Sequence, residues 1–151
     1  MPTKSKQRQQ RQKASQNNPN IRYALRHVKV LTNDIYFIAN DDTIYAKEDI
    51  TYSLNVTTQI DDETNLFDVT VTYELQLKKA AYYKLVVETE FFIDNLKQFI
   101  KLNEKNEEEF QHNYFLAFSK LLSLTHARGA QFALNPTGLV SKYFLPLTNF
   151  I

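Results

Sequence analysis

The stretch from Ile50 to Ile93, ITYSLNVTTQIDDETNLFDVTVTYELQLKKAAYYKLVVETEFFI, alternates apolar and polar residues three times in succession. In the first run Ile50, Tyr52, Leu54, Val56 and Ile60 are apolar, and Thr51, Ser53, Asn55, Thr57 and Gln59 lie between them. A two-residue period of this kind marks a strand with one face buried. The second run sets Phe67, Val69, Val71, Tyr73, Leu75 and Leu77 against Asp68, Thr70, Thr72, Glu74 and Gln76. The third keeps Tyr83, Leu85, Val87, Phe91 and Ile93 on one face, but places Val86 and Phe92 beside Lys84, Glu88 and Glu90 on the other. Residues 61–65 and 78–81 are connections short enough to join antiparallel neighbours. The three runs therefore read as an antiparallel meander.

Upstream, residues 21–38 are rich in β-branched and aromatic side chains (Tyr23, Val28, Val30, Ile35, Tyr36, Phe37) and add a fourth strand, broken or bulged near Thr32-Asn33. Downstream, residues 94–105 read as loop or short turn, and a long helix is expected from about Glu107. Asn106 is its N-cap with Glu109 three residues on, and Glu107, Glu108 and Glu109 place negative charge at the positive end of the helix dipole. Arg128 falls in the last turn and Gly129 is the expected left-handed stop. Phe110, Tyr114, Ala117, Phe118, Leu121 and Leu124 form one stripe, with Phe115, Leu116 and Leu122 off it. A helix lying on a sheet needs only an apolar arc of about 100°, and this one has more. The expected class is α+β: a four-stranded antiparallel sheet (meander) with one long and one short C-terminal helix.

At 151 residues and 43% hydrophobic content the chain can bury one core and is too short for two ordinary domains. The absence of cysteine excludes a disulfide framework and thiolate chemistry and fits a reducing compartment. No apolar run approaches the roughly 18 residues that cross a bilayer, and the first twenty residues hold only Met1 and Ala14 as clearly apolar side chains. The expectation is a soluble, cytoplasmic protein with no membrane insertion. Lys4, Lys6, Arg8, Arg11 and Lys13 make residues 1–20 basic with no acid, which leaves thirteen basic and seventeen acidic residues in 21–151. Residues 1–20 are expected to be a disordered basic tail and 21–151 the folded domain. A basic tail can hold phosphate backbones. This one has no interleaved aromatics for base stacking, so a solubilising role is the plainer reading and nucleic acid is not the expected partner.

Catalytic motifs are absent from the sequence. His27, His112 and His126 lack metal-ligand spacing. Glu88 and Glu90 share a strand face without a nucleophile or oxyanion loop. Gly129 and Gly138 are the two glycines, which leaves no phosphate-cradling loop. Asn55-Val56-Thr57 fits a glycosylation sequon but falls in the middle of a strand. The expectation is a protein with no catalytic residue, no metal and no cofactor. Its surplus apolar surface, on the off-stripe helix residues and near Val86 and Phe92, points to an interface or ligand groove, with self-association the favoured use.

Read in order, the pieces resemble the SecB protein-export chaperones over about residues 20–147. The resemblance lies in Lys29 to Ile38, Asn55-Val56-Thr57-Thr58-Gln59, Phe67-Asp68-Val69-Thr70-Val71-Thr72 and Leu85-Val86-Val87-Glu88. It continues in Ala127-Arg128-Gly129 and in Phe132 to Leu139, where Asn135-Pro136-Thr137-Gly138 leads into a short second helix. It implies a homo-oligomer built as a dimer of dimers that holds unfolded preproteins in hydrophobic grooves without ATP and passes them to the motor SecA. By position it assigns Tyr36, Phe37, Phe91, Phe92, Phe132, Leu134, Tyr143 and Phe144 to the client surface, and Asp34, Val86 and Glu88 to the motor-binding face. Three departures weigh against SecA more than against clients: Ile38 occupies the second acidic position of the first strand, Pro146 shortens the last helix, and no polar tail follows Ile151. A SecB-like chaperone dedicated to one partner, such as an antitoxin, is the alternative the resemblance offers. A structural or adaptor protein that binds one folded partner, or nucleic acid through its tail, is the rival from another class.

Overall fold

The structure is a computed structural model and is described here for residues 20–37, 50–77 and 81–135. Four strands, β1 (Tyr23–Phe37), β2 (Ile50–Asp61), β3 (Leu66–Leu77) and β4 (Ala81–Ile93), form one antiparallel sheet in the order β1-β4-β3-β2. The meander covers β2 to β4, as the alternation implies, with Val56 opposite Val71 and Val71 opposite Val87. β1 joins beside β4, so that β1 and β2 are the two edges. Then come a short 3₁₀ turn (Leu96–Phe99), a small hairpin of β5 (Ile100–Leu102) and β6 (Glu108–Phe110), and helix α1 (Asn113–Leu134). The expected second helix lies outside the described residues.

The alternating apolar residues of β3 and β4 are buried beneath α1. Val71, Tyr73, Leu85 and Val87 gather with Leu124 and Ala127 at one end, and Phe67, Phe91, Ile93, Phe99, Phe110 and Phe115 at the other. Asparagines provide the sharp turns of a glycine-poor chain. Asn65, Asn95 and Asn106 hold φ of 58°, 53° and 59°, a region that Asn enters more readily than most residues because its short amide can bond locally. Asn65 also ties two loops together: its side-chain oxygen accepts from the Leu96 N–H at 3.1 Å, and its carbonyl from Ile93.

Three sequence expectations for the helix need correction. Residues 107–110 are not its first turn. The Asn103 side-chain oxygen accepts from the N–H of Lys105 at 2.9 Å and of Glu107 at 3.0 Å, and this turn chemistry turns the segment into a hairpin. The helix begins six residues later than expected, with His112 as N-cap accepting from the Phe115 N–H at 3.1 Å. The core-facing line is also not the expected stripe, of which Leu124 is the one helix residue that is buried. Phe115, Ser119, Ser123, Leu124, Ala127 and Gln131 face inward. The two serines satisfy their hydroxyls within the helix, on Leu116 O at 3.0 Å and Ser119 O at 2.7 Å, so small polar residues can be buried and the helix can lie close to the sheet.

Gly129 is the third. It lies inside the helix, which continues to Leu134, and a Cβ there would meet nothing within 4 Å. Gly129→Ala is therefore expected to stabilise the fold by about 0.5–1 kcal/mol, through the smaller backbone entropy lost on folding. Urea titration of the two chains measures it.

Candidate functional site: an apolar shelf between the edge strand and the helix

α1 runs in the same direction as β1 but lies over β4 and β3. Three contacts fix its course. The Tyr23 ring sits 4.9 Å from Phe115 and 5.6 Å from Phe118 near the helix start. Thr89 Oγ1 and His126 Nδ1 are 3.3 Å apart in the middle. At the far end the Tyr83 hydroxyl donates to Asn33 Oδ1 at 2.8 Å, and Asn135 Nδ2 donates to Asn33 Oδ1 at 3.2 Å and to Gln131 O at 3.1 Å. Burial pushes the Tyr83 phenol up to about 12, which keeps its proton in place to donate.

With the helix centred on β4, the helix-side face of β1 is left partly open. Two bulges, between Leu25 and His27 and between Val30 and Thr32, keep its apolar residues on that face. Leu25 lies opposite Phe91, Val28 opposite Thr89 and Val30 opposite Val87. All three partners are buried, yet Leu25, Val28 and Val30 remain 47%, 42% and 40% exposed. The result is an apolar shelf along an edge strand, backed by the helix flank. On the outer side of α1, Tyr114, Phe118, Leu121, Thr125, Arg128 and Phe132 recur at alternating four- and three-residue steps, which places them on one stripe. Tyr114, Leu121 and Phe132 in that stripe are 75%, 47% and 64% exposed. At the other edge an open cleft of about 620 Å³ lies between the end of β2 and the start of α1. Ile60, Phe110 and Leu116 are among its apolar lining, and Glu108 and Glu109 line it too.

The structure distributes the sequence-assigned client residues instead of gathering them. Phe91 is fully buried, 5.5 Å from the Phe115 ring, and is corrected from client surface to core. Tyr36 and Phe92 lie on the face away from the helix, at opposite ends of the sheet, with Tyr36 exposed and Phe92 half-buried. Phe37 ends β1 opposite Ala81. Phe132 and Leu134 are exposed on the last turns of α1. Tyr143 and Phe144 lie outside the described residues. Asp34, Val86 and Glu88, assigned to the motor, do share the open sheet face, on β1 and β4. The shelf residues Leu25, Val28 and Val30 were absent from the assignment, since only the strand order and the bulges reveal their common exposure.

The open face is strongly polar at the end where β1 enters. Asp68 lies directly opposite Glu90. Burial first, and then the neighbouring Glu88 and Glu90 carboxylates, push the Asp68 carboxyl up to about 6. The folded pKa stands above the unfolded value of about 3.9, so the folded state holds this proton more tightly. The resulting stabilisation is complete below that unfolded value and is lost as pH rises through 6. Asp68→Asn is expected to raise stability at pH 7.5 by about 1 kcal/mol, a modest figure because water screens a partly exposed carboxylate. Denaturant midpoints of the two chains should converge by about pH 4.

Among the described residues no helix is long and apolar enough to cross a membrane, and no group of three or more His, Asp or Glu could hold a metal ion. No protein-family profile and no curated protein matches the sequence. The solved structures do contain the fold. The chain is similar to the Mycobacterium tuberculosis Rv1957 SecB-like chaperone, solved in complex with a ChAD peptide from the Rv1956 HigA1 antitoxin, at a TM-score of 0.51 and 13% identity over 85% of this chain and 84% of that one, so the α+β architecture seen here is that of a SecB-like protein.

Proposed function

We propose that this protein is an ATP-independent holdase that binds unfolded polypeptide through the apolar shelf of β1 and the adjoining flank of α1. The observation that carries the reading is the open row Leu25, Val28 and Val30 on an edge strand. Burial of apolar surface, at about 25 cal/mol per Å², requires no particular client sequence, and the outer backbone edge of β1, which pairs with no other strand among the described residues, offers hydrogen bonds to any extended chain. The fold supports the reading, since a protein of the same architecture has been solved with a peptide bound. The outer stripe of α1 is assigned to contact with further copies of the chain, in a homo-oligomer built as a dimer of dimers. The setting proposed is the bacterial cytoplasm, with preproteins as clients and export through SecA as the context.

A dedicated chaperone for one partner is the second reading. It is favoured by the antitoxin peptide held by the similar structure and by Ile38 at a position that is acidic in the family's motor-binding pattern. Dilution of a denatured, slow-folding polypeptide into the purified protein without nucleotide, followed by light scattering, tests the holdase. Aggregation is expected to be suppressed at near-stoichiometric oligomer with several unrelated clients. Suppression of none of them by a folded sample rejects the general holdase and leaves the dedicated partner.

A further inference from the structure

We propose that unfolded chain and a proton compete at His126, so that the shelf holds its client while this ring is neutral and releases it when the ring is protonated. The inference rests on the holdase reading and adds a regulation to it. Phe118, Leu122 and His126 follow one another at four-residue steps along α1 and so share one flank. The Tyr23 ring, 5.6 Å from Phe118, identifies that flank as the one beside β1. Farther along, His126 Nδ1 lies 3.3 Å from Thr89 Oγ1, and Thr89 is the register partner of Val28. Partnered residues of an antiparallel pair stand about 5 Å apart. The half-buried ring therefore sits where the helix flank meets the middle of the row Leu25, Val28 and Val30. It is the ionisable member of a surface otherwise built from aliphatic and aromatic side chains, and histidine is the side chain that changes charge near neutral pH.

The surroundings of the ring offer nothing to a cation. The helix-side rows of β1, β3 and β4 contain the phenols of Tyr23, Tyr73 and Tyr83 and no carboxylate, and the other charged residues of α1 are Lys120 and Arg128. His27, Lys29, Glu88 and Glu90 lie on the opposite face of the sheet. Burial already pushes the His126 ring below the ordinary histidine range. In a neutral ring one nitrogen donates and the other accepts, and Thr89 answers one of the two. An apolar client laid over Val28 can cover the neutral ring at small cost. Covering the protonated ring strips water from a cation with no anion to replace it. Client binding therefore lowers the ring's pKa further, and by reciprocity protonation weakens the client. Affinity is full above the range in which the free ring titrates and falls as pH drops through it.

The test uses the full-length protein and rhodamine-labelled, reduced and carboxymethylated lactalbumin, which stays unfolded, with Kd read by fluorescence anisotropy at pH 7.5 and 5.5. The parent's Kd should rise about three- to tenfold on acidification, tenfold being the limit for a covered ring that titrates one pH unit lower than the free one. In His126→Gln the ratio of the two Kd values should fall to about one. His126→Asn keeps a polar atom near the Nδ1 position and is the second variant should Gln disturb the helix. Asp68→Asn is the control for another group that titrates in this range: its carboxyl, pushed up to about 6, lies on the opposite face, and the variant should keep the parent's ratio. Ring-proton NMR of the parent reads the reciprocal effect, since the His126 signals should titrate at lower pH with saturating lactalbumin than without it. An unchanged parent Kd, a His126→Gln ratio equal to the parent's, or a ring that titrates identically with and without lactalbumin overturns the proposal and leaves the holdase standing. No capture by the folded parent at pH 7.5 rejects the holdase itself, and the proposal with it.

Discussion

Val28→Thr with Val30→Thr is expected to weaken capture of a denatured polypeptide by between about 2 and 3 kcal/mol, roughly 30- to 150-fold in Kd. Each substitution keeps the β-branched shape and puts a hydroxyl where a client methyl group would be buried, so the client must strip water from two polar groups. The fold should tolerate the change. Both residues are partly exposed on an edge strand, water can solvate the new hydroxyls in the free protein, and Thr favours strands about as well as Val. Fluorescence anisotropy of a labelled, unfolded client measures the affinity, and thermal unfolding checks the fold. Phe92→Ser is the matching control. Phe92 lies on the opposite sheet face, and capture by that variant should be unchanged. If the double variant binds as tightly as the parent while Phe92→Ser binds weakly, the client surface is the open face and the shelf is misassigned. Size-exclusion chromatography separates a binding loss from an assembly loss: a double variant that falls to monomers would show that a second copy covers the shelf.

The strands were legible because β2, β3 and β4 keep strict parity and pair without a register shift, so that the alternating apolar residues report one face and exceptions such as Val86 and Phe92 stand out on the other. β1 was legible as a strand but not as a surface. Its helix-side residues run Tyr23 and Leu25, then Val28 and Val30, then Asn33 and Ile35. Each bulge inserts one residue and inverts the parity, so counting by twos breaks the row that the fold joins. The helix misled for a different reason. Burying Ser119, Ser123 and Gln131 inverts the usual correspondence between apolarity and depth, and the aromatic stripe that periodicity assigns to a helix core face is partly exposed. The surplus fell on other residues than expected: Phe115 is buried and Leu116 and Leu122 pack on the core, while Tyr114 and Leu121 of the expected stripe are exposed. Where that surface meets β1 depends on the strand order β1-β4-β3-β2 and on the helix course above it. Both are tertiary facts that no local pattern encodes.

Phe115→Ala carries the largest stability effect expected for this chain. Phe115 enters the core from the first turn of α1, almost fully buried. Its ring lies 4.9 Å from Tyr23, 5.5 Å from Phe67 and Phe91, 5.8 Å from Phe110 and 6.3 Å from Phe118. Those five rings come from β1, β3, β4, the β5–β6 hairpin and the helix itself. Truncation removes the transfer energy of a whole aromatic side chain and leaves a cavity that elements held by two hydrogen-bonded ladders cannot close, a combination that costs about 3–5 kcal/mol. For a domain of this size that is a large share of the total stability, typically about 5–15 kcal/mol. The denaturation midpoint should fall sharply, measured by urea titration with far-ultraviolet circular dichroism. Because Tyr23 loses its backing ring, the entry of β1 should loosen first, and hydrogen exchange at Tyr23 to Leu25 should accelerate more than at Val69 to Tyr73 in the sheet centre. Phe115→Leu supplies the graded comparison, since Leu refills much of the volume and should recover more than half of the loss. If Phe115→Ala unfolds at the parent's midpoint, the aromatic cluster does not hold the helix start to the sheet, and the shelf beside it cannot owe its position to that anchor.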